Sequence, residues 1–438
     1  VASTRLSTVQ DNGCHFLNVN GSRGRPSTFM LDGGFNNDLW RNSGNQAPNP
    51  DAVQEFRVIS SNFNAEFGRS PGAVINVVTK SGTNQLHGTA FEYLRNNVLN
   101  ARNFFQPVVS PLRQNQFGAS AGGPIIKDKT FFFGSYQGLR VRSSIFRNGA
   151  LAATAAERTG DFSAAPANQR PIDPVTNQPF PGGIIPTARL DPVAKRILEF
   201  VPLPNTTDNR VQAEGATSND DNQWLAKIDH QFSSAHKLYG SFFTAKTKSF
   251  DPYGQSQVLN FSPIETTLTQ RNLIVNEDWV ISPTMLNQLR FSYTRRFSLS
   301  NQLTETSWSD YGSKVKLGAL PPRPPILNIV GRLQLGSFGG RARMEQQSAG
   351  LSDTLNWVRG KHNIKAGTWL LYNKFDEVGL FLASGQVQFT GSFTRNALAD
   401  FMLGRAATFR QNNGTDRHFT SWNWHNFVQD DWQVQRRV

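Results

Sequence analysis

An all-β transmembrane β-barrel, present in part, is the fold class this 438-residue sequence predicts, and two observations predict it: segments that alternate in polarity with period two, and connections that alternate between short and long. Successive side chains of a strand point to opposite faces, so period two is the strand signature. From about position 114 onward such segments recur. Between 287 and 295, Leu289, Phe291 and Tyr293 occupy one face and Gln288, Arg290, Ser292 and Thr294 the other. Between 224 and 231, Trp224, Ala226 and Ile228 oppose Lys227, Asp229 and Gln231. Near the end, Trp422, Trp424, Val428 and Trp432 share a face opposite Ser421, Asn423, His425, Gln429 and Asp431.

Roughly ten strand candidates lie near Leu86, Gln116, Thr130, Asn222, Lys237, Leu268, Met285, Ala349, His362 and His418. Short polar turns fall at Lys127-Asp128-Lys129, 233–236, Ser282-Pro283-Thr284 and Gly360-Lys361, and the stretches 142–221, 247–267, 298–348 and 373–417 between the hairpins are far longer. Soluble domains seldom carry unstructured connections beyond about 12 to 15 residues. Outer-membrane barrels join strands of about ten residues by short periplasmic turns and long extracellular loops, with aromatics gathered at both interfaces. A soluble two-sheet protein, whose apolar strand faces would be core, stays open on these features alone. If the first candidate rises from the periplasm, every short turn is periplasmic and every long connection lies outside. The last strand then leaves an open edge at Val438, whose backbone groups would lack partners in hydrocarbon, so part of a larger barrel is expected.

Composition narrows the alternatives. Cys14 is the single cysteine, which excludes a disulfide framework within the chain and any multi-cysteine metal site. No apolar run approaches the length of a membrane-spanning helix. The start, VASTRLSTVQ, has neither Met nor a basic-then-apolar leader and reads as an interior point of a longer precursor. The net charge of +13 is spread residue by residue, with no cluster longer than pairs such as Arg295-Arg296 and Arg436-Arg437. That dispersion argues against nucleic acid as a partner and suits an anionic surface or solute better.

Residues 1–84 read differently, with many Asn and Gly and the motifs Asn18-Val19-Asn20-Gly21-Ser22-Arg23, Phe29-Met30-Leu31-Asp32-Gly33 and Ala65-Glu66-Phe67-Gly68-Arg69-Ser70, followed by Gly72-Ala73-Val74-Ile75-Asn76-Val77-Val78-Thr79-Lys80-Ser81-Gly82. Further blocks are His87-Gly88-Thr89-Ala90-Phe91-Glu92, Asn115-Gln116-Phe117-Gly118, Lys129-Thr130-Phe131-Phe132-Phe133, Gly160-Asp161-Phe162-Ser163, Lys227-Ile228-Asp229-His230-Gln231-Phe232 and Gln429-Asp430-Asp431-Trp432. In this order the blocks resemble the TonB-dependent outer-membrane receptors, specifically the Oar-like group. The resemblance implies an N-terminally truncated α+β plug domain over 1–84 and, over 85–438, roughly the first ten strands of a barrel of about 22. It also implies location in the outer membrane, surrounding lipid and lipopolysaccharide, an extracellular ligand, and the inner-membrane TonB complex as partner. The box that contacts TonB, and the regulatory-like domain of the family, are not visible before Val1.

Several residues can be read without the resemblance. Gly33, Gly68, Gly72 and Gly82 sit where the chain is expected to turn sharply. Asp32 is expected to close a turn by bonding nearby backbone amides. The run 74–79 reads as a buried strand from its β-branched content. The loop 35–48 is the candidate ligand surface, where Asp38, Trp40, Arg41, Asn42, Asn45 and Gln46 combine an aromatic platform with hydrogen-bonding groups; an ordinary solvated loop accounts for them as well. Glu55, Glu66 and Arg69 are candidates for ionic contact between plug and barrel, with an ion pair inside the plug as the alternative.

No catalytic or cofactor pattern emerges. The seven histidines are scattered without the helical spacing of a zinc protease. Gly21-Ser22-Arg23-Gly24 and 68–72 lack phosphate-loop spacing. Cys14 has no evident activating base. Neither an enzyme nor a cofactor or metal is expected. Three functions fit: a receptor that takes up its ligand, a barrel for adhesion or structure without transport, and a soluble glycan-binding β-rich protein.

Overall fold

The computed structural model describes residues 27–60, 64–67, 72–102, 104, 109–317, 322–337 and 342–434. The motif at 18–23, Cys14, Gly68 and Arg69 lie outside the described residues. Ten strands form one antiparallel sheet: β5 (His87–Asn96), β6 (Leu112–Ile126), β7 (Thr130–Leu151), β8 (Arg210–Gln231), β9 (His236–Asp251), β10 (Ile264–Ser282), β11 (Met285–Gln302), β14 (Ala342–Arg359), β15 (His362–Gly379) and β18 (Thr415–Trp432). Each pairs with its neighbour in this order, from β5 at one edge to β18 at the other, so the sheet is an incomplete barrel wall. The segments at 127–129 and 360–361 close tight hairpins, with Asp128 at φ 61° and Gly360 at φ 62°.

Register sorts the two faces. Phe242, Leu273, Tyr293, Ala349, Tyr372 and Trp422 lie directly opposite one another across six strands. The next outward row is Ile228, Gly240, Val275, Phe291, Leu351, Leu370 and Trp424. Large apolar side chains of both rows stand exposed, as lipid-facing groups must. The opposite face carries Lys227, Asp229, Gln270, Asn272, Asn276, Thr294 and Arg296, all buried. That inner face is not uniformly polar. Phe133, Leu225, Phe243, Ala245 and Ile274 point inward too, and form a small core with Leu31, Ala52 and Val77.

Leu31 and Val77 belong to a second sheet on the inner side, and Ala52 to the helical turn that leads into it; the sheet is made of β1 (Thr28–Leu31), β2 (Gly34–Phe35), β3 (Val53–Ile59) and β4 (Val74–Thr79), in the order β2-β1-β4-β3. The β-branched β4 runs parallel to β1 and is mostly buried. Gly33 has φ 77°, a conformation that favours glycine. Gly82 is required for another reason: a Cβ there would lie 2.2 Å from the carbonyl oxygen of Phe132.

Two features depart from the sequence expectation. Strands of about ten residues were expected, yet β7 and β8 have 22 each and β10 has 19. At about 3.3 Å per residue, 18 or more residues span roughly twice the hydrocarbon thickness, so the strands continue well past the lipid. The long connections, moreover, fold together. Strands β12 (Ile326–Ile329), β13 (Leu333–Leu335), β16 (Gln386–Phe389) and β17 (Thr408–Arg410) make a third sheet, joined by helices α1 (Ala155–Arg158), α2 (Pro192–Leu198) and α3 (Ala397–Met402). Asp191 caps α2 by accepting from the amides of Val193 and Ala194, with Pro192 at the first helical position. Phe162, Ile185 and Ile197 from one loop, Val258 from a second, Trp308 and Leu327 from a third, and Phe401 and Met402 from a fourth share one core. Loops that bury a common core behave as a domain, here a cap over one end of the wall.

Candidate functional site at the face between the small sheet and the wall

The turn after β1 is fastened to both sheets. Asp32, at φ 46°, accepts hydrogen bonds at Oδ1 from the Thr79 amide (2.8 Å) and at Oδ2 from the Thr79 hydroxyl (2.8 Å) and the Ser241 hydroxyl (2.9 Å). Lys227 Nζ lies 3.9 Å from Oδ1, with both side chains buried, and donates to the Thr79 carbonyl at 3.3 Å. Tyr239 donates its hydroxyl to the Asp32 carbonyl (3.0 Å), and the Arg290 guanidinium donates to that of Gly33 (3.4 Å). One carboxylate therefore ties β1 to β4, and both to β8 and β9. The turn-forming role read from sequence is local; its partners on the wall are not.

The loop after β2 is the second attachment. Asp38 Oδ2 meets Arg296 Nη1 at 2.7 Å and accepts from Gln346 Nε2 at 3.0 Å, while Oδ1 accepts from the Arg41 amide at 2.7 Å. Arg296 and Asp38 are both buried. Gln346 Oε1 also accepts from the Leu39 amide (2.7 Å). Next to it, the Asn36 side-chain oxygen accepts from Asn272 Nδ2 (3.0 Å), and Thr294 donates to the Phe35 carbonyl (2.9 Å). Buried charges and amides satisfied this way are costly to expose singly, because an orphaned partner keeps its desolvation penalty.

The six candidate ligand residues divide by environment. Asp38 is committed to Arg296. Gln46 bonds to the wall three times, its backbone amide donating to Gln270 Oε1 (3.0 Å), its carbonyl accepting from Gln270 Nε2 (2.9 Å) and its side chain donating to Asp221 Oδ2 (3.1 Å). Asn42, at φ 50°, accepts from Asn37 Nδ2 (2.9 Å) within the loop. Arg41 lies beside it, its amide held by Asp38. Trp40 is 43 % exposed, stacks on Phe375 (5.5 Å between centroids, 11° between planes), and has the Arg417 guanidinium 5.4 Å from its ring centre. Asn45 is buried, and neither atom of its side-chain amide has a hydrogen-bond partner.

Of the ionic candidates, Glu66 meets Lys365 of β15 at 2.5 Å, and the neighbouring Ala65 amide donates to Gln429 of β18 (2.8 Å). Glu55 pairs with Arg57 on its own strand at 3.0 Å, with both side chains exposed. Beside Glu66 a cleft of about 640 Å³, counting its open mouth, lies between the sheets, lined among others by Met30, Phe35, Arg290, Ser292, Thr354 and Trp369. Sequence reasoning passed over Lys227, Gln270, Asn272, Arg296 and Gln346. The available signal was their position on the polar face of alternating segments. Among the described residues, no three His, Cys, Asp or Glu side chains gather as metal ligands.

Comparison with known proteins accords with this architecture. The outer membrane beta barrel domain family matches residues 78–438. A 139-residue stretch, 30% of this chain and 13% of the relative, is 33% identical to the TonB-dependent transporter Oar of Myxococcus xanthus. The outer membrane transporter YddB of Escherichia coli superposes with a TM-score of 0.53 at 10% identity, over 95% of this chain and 48% of its own. The chain thus spans about half the length of that structure and a smaller share of the curated relative. It belongs to the outer membrane beta barrel domain family, and so to the outer membrane.

Proposed function

We propose that this chain contributes the plug and the first part of the barrel of a transporter that binds an extracellular ligand and takes it up through the lumen, with force supplied by the inner-membrane TonB complex. In this reading residues 1–84 are the plug and 85–438 the wall. The observation that carries it is the pair of buried charge contacts, Asp32 with Lys227 and Asp38 with Arg296, between the small sheet and the inner face. Polar attachment suits a part that must seal a pore at rest and yield under load. Each contact is directional and is lost over a small displacement, whereas a large apolar interface would resist throughout.

Ligand recognition is assigned to the loop holding Asp38, Trp40, Arg41, Asn42, Asn45 and Gln46, with Trp40 and Arg417 as its accessible aromatic and cationic groups and the Asn45 amide as an unmet hydrogen-bonding group. Glu66 and Lys365 supply ionic contact between plug and wall. The long loops, and the cap they build, face the outside. The test is accumulation of a labelled ligand by cells carrying the full-length protein, with and without an active inner-membrane motor. Motor-dependent accumulation is expected. Accumulation that persists without the motor, or surface binding with no accumulation, overturns the reading.

A further inference from the structure

On the outward face of the wall, immediately on the cap side of the apolar rows, cations outnumber the anions that could neutralise them. The row next to Phe242, Leu273 and Tyr293 is Thr244, Arg271, Arg295, Gln347 and Lys374, in direct register. Lys246 stands one row further out on β9. Arg295 reaches Glu345 at 2.7 Å, Lys374 reaches Asp376 at 3.0 Å, and Lys248 reaches Glu265 at 2.9 Å. Among the described residues Arg271 and Lys246 have no ion-pair or hydrogen-bond partner, and both are exposed. Arg271 lies directly opposite Arg295, and like charges so placed destabilise a sheet. A tetrahedral anion bridging them would turn that repulsion into charge-assisted hydrogen bonds.

Position supplies the chemistry of the anion. Two residues along a strand is about 6.8 Å, so the cations sit just above the level where Phe242, Leu273 and Tyr293 meet acyl chains. In an outer-membrane protein whose long loops face outward, that level is the headgroup zone of the outer leaflet, where phosphorylated glycolipid resides. We propose that Lys246, Arg271 and Arg295 form a binding site for a phosphate of an outer-leaflet glycolipid of the lipid A type, whose acyl chains lie along Phe242, Leu273 and Tyr293. This rests on the outer-membrane location and on the outward orientation of the loops, not on transport, so failure of ligand uptake would leave it intact.

The experiment uses the full-length protein in nanodiscs containing phosphatidylglycerol and bisphosphorylated lipid A, with bound glycolipid counted by native mass spectrometry. A K246Q/R271Q variant is expected to lose about tenfold or more of its lipid A occupancy. R271K alone, which keeps the charge, is expected to retain it, and dephosphorylated lipid A is expected to bind the unaltered protein as weakly as lipid A binds the double variant. Both altered side chains are exposed and unpaired, and heat-modifiable gel migration checks that the variants fold. Undiminished occupancy in the double variant, or equal binding of dephosphorylated lipid A, overturns the site. Equal retention of phosphatidylglycerol overturns the glycolipid assignment, as does displacement of lipid A by an excess of inorganic phosphate.

Discussion

Replacing Asp38 by Asn tests the attachment of the small sheet most directly. The substitution keeps the shape of the side chain but turns one of its two acceptor oxygens into a donor and takes the negative charge away from the Arg296 guanidinium, which is 4 % exposed. At the observed 2.7 Å separation the pair attracts by about 6 kcal/mol at an effective dielectric of 20. Part of that is offset by desolvation, and loss of one partner of a buried pair typically costs about 3–5 kcal/mol. If the cost falls on docking of the small sheet, amides of β1 and β4 should exchange with solvent about 10² to 5 × 10³ times faster, while amides of β9 to β11 hold their protection. Removing both charges together, in D38N/R296Q, should restore much of the loss, since no orphaned charge remains. Glu66→Gln is the comparison: its pair with Lys365 is partly exposed, and its loss is expected to cost about 1 kcal/mol or less. Acceleration below about tenfold in D38N, or an equal effect in E66Q, would refute the reasoning that burial of the charge pair fixes the small sheet.

Three further outcomes are expected. Gly82→Ala would drive a Cβ to 2.2 Å from the Phe132 carbonyl and 2.8 Å from that of Gly123, backbone atoms that cannot swing away. A destabilisation of about 1–3 kcal/mol should appear as a lower temperature for the heat-modifiable transition on gels. Trp308→Ala removes a buried ring from the shared loop core, together with its bond to the Ser384 carbonyl. At about 3–5 kcal/mol it should open the long loops to protease while the wall keeps its heat-modifiable migration. Asp173, hydrogen-bonded by Arg189 and by the Val175 amide, has its carboxyl lowered to about 2. A carboxyl held below its unfolded value of 3.8 stabilises the fold above that pH and loses the effect as pH falls through about 2. Pepsin resistance of the cap should therefore decline between these two pH values, and D173N should remove that dependence.

The wall was legible in the sequence because its physics is local. A strand with one face in lipid must alternate residue by residue, so Leu289, Phe291 and Tyr293 announce their face without reference to any other part of the chain. All ten candidate strands occur, each at or beside its expected position. Their length was not legible, because beyond the lipid the outward face no longer has to be apolar and the alternation fades just where β7 and β8 continue. The cap was missed for a related reason. Its strands have three or four residues, too few to carry a period, and its core is assembled from four loops that only the closed hairpins bring together.

The candidate site divides in the same way. By itself the sequence determined that Asp32 ends a strand in a turn, that 74–79 is a buried strand, and that 287–295 has one apolar and one polar face, because each is fixed by neighbours within a few residues. Only the tertiary structure decided that Asp32 meets Lys227, that Asp38 meets Arg296, and that Glu66 reaches Lys365 while Glu55 pairs within its own strand. A charge's partner depends on which faces are brought together across the lumen, and sheet curvature and register set that, not the order of residues along the chain.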